Sequence, residues 1–166
     1  MISVHSKPIP SLVAGGAALL LAVLTPAAAP AATTTVTCTP TKVKIVTSDL
    51  SSFTASKTFV HISEAALSFT QGGASASCVI VRFSAMTFAF DSTVIIRAYL
   101  DNTTTVALPA AVQYSHNDVG AAGAHSFEFV FPRVAPGNHI VHMQFKSADG
   151  KTVGVNPHNT VVQFAP

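Results

Sequence analysis

The amino-acid sequence predicts an all-β protein, a two-layer antiparallel β-sandwich. The stretches 125–131 and 139–145 alternate apolar and polar residues, and such period-two alternation is typical of half-buried antiparallel strands. Beyond the first thirty residues, about eight to ten short apolar segments follow one another roughly 8 to 12 residues apart, and none has a helical period. Short strands at this spacing are typical of a sandwich or a barrel, and we expect the sandwich.

The first 31 residues have the pattern of a cleavable signal peptide. Lys7 precedes an apolar run over 12–24, and Ala29 and Ala31 supply the small residues that signal peptidase requires. The run of about 13 residues is shorter than the roughly 20 that a membrane span needs, and no later stretch is apolar enough to span. The alanine-rich leader is typical of bacteria. We therefore expect cleavage after Ala31, a periplasmic or extracellular location, and a single domain over 32–166.

The first half of the mature chain predicts several short strands. Residues 33–47 are rich in threonine and valine, and Pro40 interrupts them because proline cannot donate to a central ladder. A polar connection at 48–56 leads to alternating residues at 57–63 and 67–69. Gly72 and Gly73 then indicate a tight turn, since glycine adopts positive φ angles without steric cost.

The middle of the chain predicts two central strands and a long loop. The segments 77–83 and 93–100 alternate and carry apolar residues on both faces, and 86–90 alternates as well. The segment 106–112, which Pro109 interrupts, predicts a short edge-like strand. The stretch 114–124 holds turn-forming residues without periodicity, and we expect it to be the longest exposed loop.

The alternating stretches 125–131 and 139–145 form the predicted core ribbon, with a proline and glycine bend between them. The pair Asp149-Gly150 is favoured in type I′ hairpin turns, so we expect 153–155 to return antiparallel to this ribbon. The inward residues predicted for the ribbon are Phe127, Phe129, Phe131, Val141, Met143 and Phe145.

Three segments together resemble secreted bacterial β-sandwich domains of unknown function. They are RAYLDN at 97–102, HSFEFVF at 125–131 and PGNHIVHMQFKSADGKTVGV at 136–155. The bend at 134–139 is similar to a corner of immunoglobulin-like and fibronectin-like domains that fixes a crossing between sheets. The resemblance implies a fold and no functional residue. The absence of tryptophan and a strand count above seven favour a jelly roll over an immunoglobulin-like topology.

The two cysteines of the chain, Cys38 and Cys78, are predicted to form a disulfide. Both follow the leader and therefore reach an oxidising compartment, where a pair of cysteines is expected to be bonded. The bond would join the first strand to a central one.

The charge balance gives no reason to expect nucleic acid, an anionic membrane or another acidic partner. Nine lysines and arginines less Lys7 leave eight basic residues against seven acidic ones. A chain this close to neutral has no general electrostatic attraction for polyanions.

Six histidines after the leader raise a metal-binding alternative. His139 and His142 are three apart in a predicted strand and so lie on opposite faces, which excludes a shared ion. His116, Asp118 and His125 flank the predicted loop and have the ligand types that zinc or copper takes. Loops collect such residues without binding metal, so our main expectation is no metal and no other cofactor.

The sequence offers no constellation for catalysis, and we expect no enzymatic activity. It lacks a G-x-S-x-G elbow, and both cysteines are expected to be bonded. A carbohydrate-active hydrolase is the second alternative and would need two carboxyl groups about 5 to 9.5 Å apart. Glu128 lies in the middle of a predicted strand with its side chain outward, and we expect it to pair with Lys146 or Arg97 on a neighbouring strand.

Surface contact is therefore the predicted mode of action. Sugar-binding sandwiches use exposed aromatic side chains, and the tyrosines here are Tyr99 and Tyr114. Tyr99 shares a strand face with Arg97, and Tyr114 opens the predicted loop. We expect these three residues to contact an unknown protein or carbohydrate, in an exported binding or structural module of the cell envelope.

Overall fold

The fold consists of ten β-strands, seen in a computed structural model that describes residues 35–89, 91–101, 105–116 and 123–166. The predicted signal peptide at 1–31 lies outside the described residues. The strands in chain order are β1 Lys42–Ser48, β2 Ser52–Thr54, β3 Val60–His61, β4 Leu67–Gln71, β5 Ser77–Ala89, β6 Thr93–Leu100, β7 Val112–His116, β8 Gly123–Val134, β9 Gly137–Ser147 and β10 Val153–Phe164.

The strands form two antiparallel sheets of five strands each. Sheet A has the order β1-β10-β5-β8, and β2 continues the β1 edge along β10. Sheet B has the order β3-β9-β6-β7, and β4 continues the β3 edge along β9. The prediction of an all-β, two-layer antiparallel sandwich is confirmed.

The strand order is that of a jelly roll. The pairs β6 with β7, β5 with β8, β4 with β9 and β1 with β10 are nested inside one another along the chain. Such nesting wraps one long antiparallel ribbon into two Greek keys, whereas an immunoglobulin domain divides its strands differently between its sheets. The topology that the sequence favoured is therefore the one observed.

Side chains that alternate inward from both sheets fill the core. Five of the six inward residues predicted for the ribbon are at most 1% exposed, whereas Phe127 is 37% exposed. In β6 every second residue from Val94 to Leu100 is buried, and the residues between them face outward. The largest fully buried side chains include Phe83, Phe129, Phe131, Phe145, Ile96 and Met143.

The predicted ribbon is divided between the sheets. β8 pairs with β5 in sheet A, and β9 pairs with β3, β4 and β6 in sheet B, so the corner between them crosses the sandwich. The prediction that 153–155 returns antiparallel to the ribbon is wrong, because these residues pair with β2 and β5. The Asp149 carboxylate accepts a hydrogen bond from the Lys151 amide and so stabilises the turn, but a turn does not choose the strand's partner.

The predicted disulfide is present. Cys38 and Cys78 are bonded with their Cα atoms 5.6 Å apart. The bond connects the chain ahead of β1 to the second residue of β5, a central strand of sheet A.

Among the described residues, no helix has the length and apolar character needed to cross a membrane.

Candidate functional site

The outward side chains of three neighbouring strands in sheet B form the candidate site. Arg97 and Tyr99 point outward from β6 because the residues between them face the core. On β9 the register places Gln144 beside Arg97 and His142 beside Tyr99. β3 brings His61 to the other side of Gln144. Arg97 and Tyr99 are thus half-buried among side chains from two other strands.

Three rings on this face form a cluster, the His–Tyr cluster of His61, Tyr99 and His142. The imidazole of His142 stacks on the phenol of Tyr99, with centroids 4.8 Å apart and ring planes inclined by 13°. His61 meets both rings edge-on, 5.8 Å from Tyr99 and 5.4 Å from His142 between centroids. The Tyr99 hydroxyl lies 3.1 Å from Nε2 of His61. Stacked and edge-to-face pairs are favoured aromatic geometries, so the three strands hold the rings in a defined arrangement.

Partial burial determines the charge of the His–Tyr cluster. Burial lowers the pKa of His142, the neighbouring His61 lowers it further, and the Asp101 carboxylate opposes both effects. Burial raises the pKa of Tyr99, and the Arg97 guanidinium offsets part of that rise. At neutral pH, His142 is therefore a neutral imidazole and Tyr99 a neutral phenol, both able to donate and accept hydrogen bonds.

Beside the cluster, two cations share one aromatic ring in a cation–ring group of Phe59, Arg97 and Lys146. Cζ of Arg97 lies 4.1 Å from the centroid of the Phe59 ring, and Nζ of Lys146 lies 4.9 Å from it. These distances are in the range of cation–π attraction. Nε of Arg97 also donates to Oε1 of Gln144 at 2.8 Å, so the guanidinium is fixed from two sides.

A depression of about 340 Å³ lies at the other end of the face and includes His142 in its lining. Asp101 shapes its wall: its Oδ1 accepts a hydrogen bond from the Ile140 amide at 2.8 Å, and its Oδ2 lies 2.9 Å from Nδ1 of His139. Burial alone would raise the pKa of Asp101, but the hydrogen bonds from His139 and Ile140 outweigh it and lower that pKa. The His139 side chain is 14% exposed, and its Nε2 lies 2.9 Å from the Ala135 carbonyl oxygen at the corner.

The depression, the His–Tyr cluster and the cation–ring group form one continuous surface along β9. Outward residues of this strand run from Ile140 through His142 to Lys146. The six intervals between successive residues from Ile140 to Lys146 span about 20 Å. This surface, the outer face of sheet B, is long enough for an extended ligand that covers several repeating units.

Tyr114 does not belong to this surface. The prediction that it opens an exposed loop is wrong, because it lies within β7 and is 6% exposed. Its hydroxyl donates toward the carbonyl oxygens of His125, at 2.5 Å, and Phe83, at 3.2 Å. β7 has five residues, and its two apolar positions, Val112 and Tyr114, are too few to reveal a strand by alternation.

The histidines of the predicted metal site lie in strands β7 and β8. Nδ1 of His116 is 2.7 Å from the Thr93 hydroxyl, and the ring of His125 packs edge-on against Tyr114. Asp118 lies outside the described residues, so the three-residue site stays a prediction. In the described part of the chain, no group of three or more histidine, cysteine or acidic side chains is arranged to hold a metal ion.

Glu128 pairs with Arg82 and not with Lys146 or Arg97. Nε of Arg82 donates to Oε1 of Glu128 at 2.9 Å, and the two residues are directly opposite on β5 and β8. Half of the Glu128 side chain is exposed. The prediction of Lys146 or Arg97 as the partner is wrong because β8 belongs to sheet A, whereas both of those residues belong to sheet B.

Sequence comparison gives no match. No protein-family model matches the chain. No characterised protein matches it by sequence either.

Comparison with solved structures finds a protein that shares the β-rich fold. The chain is similar to VP2 of the infectious bursal disease virus subviral particle, with a TM-score of 0.51 and 9% identity, over 75% of this chain and 32% of VP2. A family two carbohydrate esterase from Cellvibrio japonicus aligns with a TM-score of 0.29 and 17% identity, over 75% of this chain and 36% of the esterase. The chain thus spans about a third of the length of each. At these identities the likeness to VP2 shows the fold alone.

Proposed function

We propose that the protein is an exported, non-enzymatic module that binds a polysaccharide through the outer face of sheet B. The observation that supports this most directly is the His–Tyr cluster, three partly exposed rings held rigidly on a sheet. Sugar rings have apolar C–H faces that pack on aromatic side chains, and a preorganised ring cluster loses little entropy when it binds.

The polar groups around the rings suit sugar hydroxyls. Hydroxyl groups both donate and accept hydrogen bonds, and so do the neutral His142 and Tyr99. Asn138 and Thr70 line the neighbouring depression and already hydrogen-bond to each other at 2.8 Å. The face therefore alternates apolar rings with hydrogen-bonding groups over about 20 Å. An extended chain of sugars fits this pattern better than a compact ligand does.

The environment of the acidic residues supports binding without catalysis. Asp101 is engaged by His139 and Ile140, and Glu128 by Arg82. Each of these carboxylates is held by its own partner, whereas glycoside hydrolysis needs two carboxyl groups that flank one bond. The disulfide is compatible with an oxidising compartment, and this supports the proposal of export.

Native affinity electrophoresis tests this proposal. The purified protein without residues 1–31 is run through gels that contain neutral polysaccharides (dextran, xylan, mannan) or acidic ones (polygalacturonate, alginate, dextran sulfate). We expect at least one polymer to slow the protein. The Tyr99→Ala variant should lose most of this retardation, because both the ring and its stack with His142 are removed.

The matched control is Phe53→Ala. Phe53 is 62% exposed and lies on the opposite sheet, over Gly154 of β10, so this variant removes an aromatic ring outside the proposed site. It should be retarded like the parent protein. Equal loss in both variants, or no retardation by any polymer, would contradict polysaccharide binding at the outer face of sheet B.

A further inference from the structure

The cation–ring group carries two positive charges, and no carboxylate of the described residues forms an ion pair with either of them. Within the described residues, the ion pairs are Arg82 with Glu128, His139 with Asp101, and Lys151 with Asp91. Arg97 and Lys146 belong to none of them.

Sheet geometry brings these two cations together. Lys146 is opposite Ile95 and Gln144 is opposite Arg97, so Arg97 and Lys146 are diagonal neighbours on the outward side of β6 and β9. Both approach the same Phe59 ring. Like charges on adjacent strands repel each other, and the negative face of one ring offsets this repulsion only in part. An anionic group between or beside them would remove it.

The donors of Arg97 are positioned for such a group. A guanidinium has five N–H donors in a rigid plane, and among the described residues Arg97 uses its Nε–H for Gln144. Phe59 and Gln144 hold the guanidinium in place, while Lys146 adds three donors that can rotate. A planar fork next to an ammonium is an arrangement that recognises carboxylate, sulfate or phosphate oxygens.

We propose that the polysaccharide is acidic, and that Arg97 and Lys146 bind its carboxylate or sulfate groups. This inference rests on the proposed function, since it assigns the charge of the ligand that the outer face of sheet B takes. The His–Tyr cluster packs against the sugar rings, and the cation–ring group pairs with the charged substituents. The formal net charge of +2 is too small to attract polyanions in general, so the selectivity is local.

The experiment compares binding of polygalacturonate, which carries carboxylates, dextran sulfate, which carries sulfates, and unmodified dextran, at low and at physiological salt. We expect the parent protein to bind one or both acidic polymers more tightly than dextran, and more weakly as salt rises. The double variant Arg97→Gln with Lys146→Gln should bind the acidic polymer at least about tenfold more weakly.

The double variant Arg82→Gln with Lys151→Gln is the matched control, because it removes the same charge from ion pairs outside the site. It should bind within about twofold of the parent protein. Arg97→Lys keeps the charge and loses the planar fork, so its affinity for the acidic polymer should lie between those of the two double variants. Thermal unfolding of each variant establishes that it is folded before binding is measured.

The outcomes separate this inference from the proposed function. Tight, salt-insensitive binding of dextran or another neutral polymer overturns the inference that the ligand is acidic, but it is consistent with the proposed binding of a polysaccharide. An equal loss of affinity in both double variants also overturns the acidic-ligand inference, because the overall charge of the protein would then account for binding. Binding of poly-glutamate without any acidic polysaccharide overturns both.

Discussion

The ring of His142 stacks on the ring of Tyr99, 4.8 Å away between centroids, and the two residues are directly opposite each other on β9 and β6. Cross-strand partners on an antiparallel pair have neighbouring Cβ atoms, so the register alone brings these rings together. The contact links sheet geometry to the proposed binding face.

The stack should contribute measurably to stability. A double-mutant cycle of Tyr99→Ala and His142→Ala, followed by urea unfolding, should give a coupling energy of about 0.5–1.5 kcal/mol, as favourable aromatic pairs do. Strict additivity of the two single substitutions would mean that the rings are in contact without stabilising each other.

His158 should make the protein less stable in mild acid. It is 3% exposed and packs on Phe83, with ring centroids 5.8 Å apart. Burial lowers its pKa below the ordinary 6.5, although Ser63 and Glu64 oppose this. Below pH 6.5 His158 is protonated in the unfolded chain but stays neutral in the folded state. Each unit by which the pH is lowered in this range therefore decreases the free energy of unfolding by at most about 1.4 kcal/mol.

Urea unfolding at a series of pH values between 7 and the onset of acid unfolding measures this effect. His158→Phe cannot be protonated and should flatten the pH dependence. If His158→Phe retains the full parental slope, other groups are responsible.

Removal of the disulfide should lower stability substantially. Replacing Cys38 and Cys78 by serine releases a loop with a sequence separation of 40 residues. On the chain-entropy account this costs about 4 kcal/mol of the free energy of unfolding. Thiol titration of the denatured parent without reductant should detect no free thiol, and two free thiols would show that the bond does not form.

The hydroxyl of Tyr114 should stabilise the contact between the sheets. It reaches from β7 in sheet B to the carbonyl of His125 in sheet A. Tyr114→Phe keeps the ring in the core and leaves buried carbonyls without this donor, so it should cost about 1 to 2 kcal/mol. Denaturant unfolding measures the loss, with Tyr99→Phe as a comparison at a half-exposed position. A neutral Tyr114→Phe would show that water replaces the hydroxyl.

Alternation predicted the faces of the strands but not their neighbours. The outward positions of Arg97 and Tyr99 follow from period two in β6, and so does the burial of Val94. The division of the ribbon between the sheets depends on long-range pairing, which no local pattern encodes. For the same reason Glu128 was assigned partners from the wrong sheet.

The candidate site could be predicted only in part. His61 and Phe59 were missed although residues 57–63 alternate, because alternation indicates the faces of β3 but not its pairing with β9. Net charge also hid the cation–ring group, since a near-neutral total says nothing about where Arg97 and Lys146 lie. The one available signal was the outward position of both residues in alternating stretches.

The most direct test of the account is to map the bound ligand on the folded protein. A short oligosaccharide of the acidic polymer that binds most tightly is titrated into the ¹⁵N-labelled protein, and backbone amide shifts are followed by NMR. We expect saturable changes concentrated at the outer face of sheet B, at Phe59, His61, Arg97, Tyr99 and His142. Changes confined to the outer face of sheet A around Phe53 and Ile45, or no changes at saturating ligand, would contradict the assignment of the binding site.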